Sequence, residues 1–213
     1  YVTNAAGNTD VLDYTTTYKG GSIAKVAPTT SDILKSRTNY IGNLRGEELS
    51  DYALNYSGTG TNVSTTTIYY YKYGASGIVR ASSITVSSSE MKVSEVYNGD
   101  KSGTPELTYQ ATNIVTGLTD LKSRTYYFGY KGDELASLSH SVLINSSGGR
   151  EVKDTTVYTY ATNAAGKNTD VLDYTTTYKG GSIANVTPSY PPDTLKSFVK
   201  YQGNLRGEEL SDY

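Results

Sequence analysis

Thr3–Ala24 reads TNAAGNTDVLDYTTTYKGGSIA, and from Thr162 the chain reads TNAAGKNTDVLDYTTTYKGGSIA. The likeness extends outward on both sides: residues 1–52 return as residues 160–213 with two one-residue insertions, and 41 of the 52 positions are identical. GNLRGEELSDY at Gly42–Tyr52 returns unchanged at Gly203–Tyr213. A fixed recurrence of this kind is the mark of a repeat architecture, and it sets the terms on which the rest of the chain is read. The long period is about 160 residues. Tyr1 matches Tyr160 and Tyr213 matches Tyr52, so the chain reads as a window on a longer array.

A weaker copy lies inside the period. LKSRTNYIGNLRGEEL from Leu34 is echoed by LKSRTYYFGYKGDEL from Leu121 and again by LKSFVKYQGNLRGEEL from Leu195. The expected organisation is the end of one long repeat over 1–34, a first half of three hairpins over 35–120, a second half of three over 121–194, and the next repeat from 195 to 213. The small unit is a Tyr-rich, β-branched run, a Gly-containing turn and a second mixed run, as in TTIYYYKYGASG at Thr66 or TTVYTYATNAAG at Thr155. Alternation such as Tyr69, Tyr71, Tyr73 or Tyr158, Tyr160 is the signal of strands with two unlike faces. Tyr14, Tyr18, Tyr174 and Tyr178 occupy the same kind of position. Gly42, Gly77, Gly103, Gly132, Gly166 and Gly181 are the expected turn glycines. The one helix candidate, GEELSDYAL at Gly46, has no sustained apolar stripe. The fold class predicted is all-β, a tandem β-hairpin array stacked as a solenoid or fibre, with negligible helix.

Composition agrees. Ile, Leu, Val and Phe supply 41 of 213 residues, just under a fifth, a share that with high net charge would mean disorder. Net charge is only −2, and 22 Tyr carry the missing apolar area. A Tyr ring buries much surface with few rotors but needs a partner for its hydroxyl, so an ordered sheet with a wet surface is expected. Without Cys there is no disulfide framework, thiolate metal site or cysteine nucleophile. No apolar run approaches the roughly 18 residues of a membrane span, and Lys and Arg form no basic stripe for nucleic acid.

The pattern of YxY, three to five residues, Gly, then a polar stretch with Leu or Ile resembles the YD repeats of bacterial Rhs and wall-associated proteins, toxin-complex subunits and animal teneurins. YTYATNAAGKNTDVL at Tyr158 and YYYKYGASGIVRASSIT at Tyr69 carry the likeness. The resemblance implies that each repeat is a β-hairpin and that successive hairpins spiral into a large sheet enclosing a cargo or forming a surface module.

Chemical sites are sparse. His140, in SLSHSVLI, is placed by alternation on the polar face opposite Leu138 and Val142, as a surface strand histidine. The acid pairs Glu47–Glu48, Asp133–Glu134 and Glu208–Glu209 recur with the hairpin beside Arg45, Lys131 and Arg206, which points to turns or ion pairs between units rather than to catalysis. Asn98, Asp100 and Ser102 open like a calcium loop, but Tyr109 stands where a bidentate Glu belongs, so hairpin-turn chemistry is the plainer reading. No catalytic residue and no cofactor is expected. The function predicted is a non-enzymatic, extracellular or cell-surface protein forming a bacterial fibre, filament or adhesin stalk. Its partners are neighbouring repeats of the same or identical chains, and glycans are a further candidate. A shell segment enclosing or presenting a toxin, and a carbohydrate-binding module, are the alternatives.

Overall fold

In the computed structural model, the residues described are 11–20, 32–42, 45–74, 77–84, 89–103, 120–147, 149–162, 168–181, 194–202 and 210–211. The chain divides into two units, Tyr1–Tyr109 and Gln110–Tyr213. In the first unit, β1 (Tyr14–Lys19), β2 (Ile33–Ile41), β3 (Leu49–Tyr56), β4 (Val63–Tyr73) and β6 (Met91–Asn98) lie side by side in that order. The short β5 (Gly77–Arg80) pairs with the end of β4. In the second unit the order follows the chain through β7 (Leu121–Phe128), β8 (Leu135–Ile144), β9 (Arg150–Thr162), β10 (Asn168–Lys179), β11 (Leu195–Gln202) and β12 (Leu210–Ser211). Every pairing within each unit is antiparallel. Among the described residues the only helical segment is a 3₁₀ turn, Ala81–Ser83. The all-β antiparallel class is therefore what the chain adopts, and the candidate helix GEELSDYAL runs into strand β3.

Register shows which side chains share a face, because directly opposed residues of an antiparallel pair point the same way. In the first unit Arg37, Leu54, Thr66 and Tyr97 form one row across β2, β3, β4 and β6. In the second, Arg124, His140, Thr155 and Tyr178 form the row that corresponds across β7, β8, β9 and β10. The same face of the first unit carries Ile68, Tyr70, Val93 and Glu95, each at most 1% exposed. This is the core, and it is built from aromatic, hydroxyl and charged groups as much as from aliphatics.

The irregularities recur as well. Pairing slips between Asn39 and Tyr40 in β2 and between Tyr126 and Tyr127 in β7, which are matching positions of the weak half-copies. It slips again between Asn55 and Tyr56 and between Ser141 and Val142. Bulges are placed features that re-aim the following side chains. One of them, where Tyr70 faces Val93 and Tyr71 faces Met91, puts the extra residue on β6, so alternation along β4 is kept. Tyr70 is fully buried on the core face, yet Tyr71 is also buried, against Leu49 and Ala81 on the other side, with Tyr69, Ile84 and Met91 packed around them. Tyr73, at the end of the same row, is exposed.

The described residues of 121–194 form two hairpins, β7–β8 and β9–β10, and residues 182–193 lie outside them. Single strands of 10 to 13 residues, β8, β9 and β10, span what the sequence motif divides. The turn glycines split by mechanism. Gly132 (φ 86°) and Gly181 (φ 135°) adopt the left-handed conformation, whereas at Gly42 a Cβ would lie 2.9 Å from Glu48 Cα, so close backbone approach is what requires glycine there. Gly77 is of the second kind, Gly103 is of neither, and Gly166 lies outside the described residues.

Candidate functional site

Thr66 and Thr155 hold matching positions and are both fully buried. Thr66 Oγ1 donates to the carbonyl of Gly99 (2.7 Å) and accepts from the amide of Lys101 (3.0 Å). Thr155 Oγ1 donates to the carbonyl of Gly180 at 2.8 Å. Each threonine thus ties its strand to the turn that leaves the next one, a bond that strand propensity alone would not supply.

His140 is fully buried, contrary to its expected place on the polar surface. No slip separates it from buried Leu138 two residues earlier, so the two share the core face, where register aligns His140 with Arg124 and Thr155; alternation counted from Leu138 points inward, and the surface expectation had the phase reversed. Its Nδ1 lies 2.9 Å from Thr155 Oγ1, and the Tyr126 ring meets it edge-on at 6.0 Å. Since the single hydroxyl proton of Thr155 goes to Gly180, Nδ1 must carry its own proton and donate to Oγ1. A general base activating a hydroxyl needs the opposite polarity and access to substrate. This pair has neither.

Two further polar clusters were not singled out in the sequence. Glu95 Oε2 accepts from Tyr70 Oη at 2.9 Å and from Tyr97 Oη. Burial first, then the Glu95 charge, pushes both phenols well above the ordinary value of 10.0. Arg80 and Asp51, each 7% exposed, form a two-pronged pair, Nε to Oδ1 at 3.2 Å and Nη2 to Oδ2 at 2.6 Å. The available signal was phase: in VSEVY at Val93, Glu95 falls in step with Val93 and Tyr97, so the glutamate shares their face.

The predicted surface candidates serve the turns. Asp100 Oδ1 accepts from the amide and the hydroxyl of Ser102 at 2.9 and 2.6 Å, closing an Asx turn beside exposed Asn98. Glu48 accepts from the amide of Leu12, and Glu134 from that of Gly132, both at 2.9 Å. Glu208 and Glu209 lie outside the described residues. Among the described residues no three His, Asp or Glu side chains come together as a metal site. The tyrosine rows place hydroxyls on backbone where they are covered: Tyr71 to Ser50 O at 2.9 Å and Tyr160 to Ala136 O at 2.8 Å. Tyr158 is half-buried, and burial raises its phenol further than the neighbouring Tyr127 and Tyr201 do. Tyr14 is exposed under the Arg37 guanidinium at 4.2 Å, and Tyr174 packs on exposed Phe198 at 5.1 Å. Tyr18 and Tyr178 are half-buried.

One groove, of about 730 Å³, lies in the second unit between Leu143, Val152, Gly180 and Leu195, with the Lys196–Asp154 ion pair (2.8 Å) on its wall. No helix among the described residues is long and apolar enough to cross a membrane.

Compared with models of known protein families, with curated proteins and with solved structures, the chain finds no match.

Proposed function

We propose that the chain is a structural, non-enzymatic repeat protein of the extracellular space or cell surface, built to form a bacterial fibre, filament or stalk from tandem Tyr-rich hairpins. One observation carries this reading. The strands on either side of the repeat boundary pair identically in the two copies: Tyr14 with Asn39 through Thr17 with Ser36, then a slip, then Tyr18 with Leu34; and Tyr174 with Lys200 through Thr177 with Ser197, the same slip, then Tyr178 with Leu195. A junction that is reproduced in register and bulge each time the sequence recurs is a junction that an array can propagate. Continuous pairing of this kind also leaves few open strand edges, which otherwise invite uncontrolled association.

The buried polar groups fit the same role. Thr66, Thr155, His140, Glu95 and Arg80 are spent on neighbouring strands and turns, which gives a thin core that lengthens with the number of hairpins instead of thickening. Electron microscopy of chains carrying several repeats tests this reading. Fibres whose length grows by a constant increment per 160-residue repeat are the expected result; round particles of unchanging diameter would remove it. A carbohydrate-binding module is the second reading, favoured by the exposed Phe198 ring beside Tyr174, Asp173 and Lys200. Glycan-array binding abolished by Phe198→Ala would bring it forward.

A further inference from the structure

Small uncharged polar side chains line up across each unit. In the second, register opposes Thr125 to Ser139, Ser139 to Thr156, Thr156 to Thr177 and Thr177 to Ser197, one residue from each of β7 to β11. In the first, Thr17, Ser36, Asn55, Thr65 and Asn98 form a row of the same kind across β1, β2, β3, β4 and β6. The chain neighbours of the second row, Arg124, His140 and Thr155, are fully buried, so the row itself lies on the opposite face. Each of its members is half-buried or exposed. Thr125 Oγ1 and Ser139 Oγ lie 3.0 Å apart, as do Thr156 Oγ1 and Thr177 Oγ1. A hydroxyl pair uses one proton internally and keeps the other, with its remaining lone pairs, for a group outside. Tyr127 and Tyr158 follow Thr125 and Thr156 by two residues and share their face. Tyr201 joins them, since Tyr127 and Tyr201 both lie near enough to help raise the Tyr158 phenol.

We propose that this face of the second unit binds an extended, uncharged polysaccharide laid across the strands, with sugar hydroxyls on the Thr and Ser row and sugar rings against the tyrosines. Three features select that ligand. Adjacent strands are about 4.7–4.9 Å apart, close to the length one sugar adds to an extended chain, so successive sugars meet successive strands. The row holds no Lys, Arg, Asp or Glu, and it therefore offers an anionic polymer no complementary charge. Sheets twist by roughly 20–25° per strand, so a polymer chain can turn with a row five strands long, whereas a rigid flat lattice such as ice would touch only part of it. Aromatic rings with hydroxyls beside them suit a ligand that is itself apolar on its ring faces and polar at its rim. The proposal shares its ligand class with the second reading above but not its site, because Phe198 follows Ser197 in β11 and points to the other face.

Isothermal titration calorimetry of the full 213-residue chain with cellohexaose and with chitohexaose tests this, and maltohexaose, whose α-linked chain coils, is the control. Saturable binding of at least one β-linked hexamer is expected, about tenfold tighter than maltohexaose. The Thr156→Val, Thr177→Val double variant keeps the branched side-chain shape and should bind about fivefold to tenfold more weakly. Tyr158→Ala should lose about threefold to tenfold, whereas Tyr158→Phe, which keeps the ring, should stay within about twofold of the parent. Phe198→Ala should bind as the parent does. Far-UV circular dichroism and thermal midpoints like the parent's identify a variant that has lost contacts and not its fold. No binding of either β-linked hexamer at millimolar concentration, equal affinity for maltohexaose, or unchanged affinity in the folded double variant would each overturn the proposal. Affinity lost in Phe198→Ala and kept in the double variant would overturn it in favour of the ring pair. Fibres in micrographs without glycan binding would remove this site and leave the array reading standing.

Discussion

Replacing Asp51 by Ala leaves the Arg80 guanidinium inside the first unit without the carboxylate that receives both its Nε and its Nη2. Both side chains are 7% exposed, so water cannot take over the role of the missing oxygen atoms without the core opening. Breaking a buried ion pair by removing one partner costs about 3–5 kcal/mol, because the cost is that of an uncompensated charge and not the net worth of the pair. With an m value of about 2 kcal/mol per M in urea, about 4 kcal/mol moves the unfolding midpoint down by about 2 M. Far-UV circular dichroism across a urea titration reads this directly. The double variant Asp51→Leu with Arg80→Met removes both charges and keeps the volume filled, and it should return to within about 1 kcal/mol of the parent or exceed it. A shift of less than about 0.5 M for Asp51→Ala, or a double variant as unstable as the single, would refute the reasoning.

Thr66→Val and Thr155→Val should each cost about 1–3 kcal/mol by stranding the Gly99 and Gly180 carbonyls, whereas Thr67→Val, on the half-buried opposite face, should stay within about 0.5 kcal/mol by the same urea assay. Asp170 holds a left-handed φ of 62° inside β10, so Asp170→Gly should raise the thermal midpoint, by the equivalent of about 1 kcal/mol. At Gly129, φ is 104° and a Cβ would sit 2.7 Å from Asp133 O; Gly129→Ala should lower stability by about 1–3 kcal/mol in calorimetry. For Tyr70 and Tyr97 the folded phenols are raised above the unfolded value of 10.0 by burial and by Glu95. The folded state therefore binds these protons more tightly, and the stability they contribute is complete below pH 10 and lost as pH rises beyond it. Alkaline unfolding followed by phenolate absorbance should be steeper in the parent than in the Tyr70→Phe, Tyr97→Phe double variant.

Periodicity made the strands legible because an alternation of β-branched and aromatic residues reports a local property, the pleat. Leu34, Leu121 and Leu195 marked the starts of matching strands within a residue, and β2, β7 and β11 begin at Ile33, Leu121 and Leu195. Turn positions were legible where glycine chemistry is local, as at Gly132. Where a turn rests on approach between backbone segments, as at Gly42 and Glu48, glycine marks the place without showing the reason.

By itself the amino-acid sequence determined that this is a β-rich chain of recurring parts, that tyrosine must replace aliphatic area, and that thiolate and multi-histidine chemistry are ruled out by residue counts. Only the tertiary structure decided which face each residue occupies. Alternation says that neighbours in a strand face opposite ways but not which sides become covered, so Tyr70 and Tyr71 are both buried, on opposite sides, and His140 lies inside with Leu138 instead of on the surface. Register across strands, which is a contact between distant segments, brought Glu95 to Tyr70, and folding of the β4–β5 hairpin brought Arg80 to Asp51.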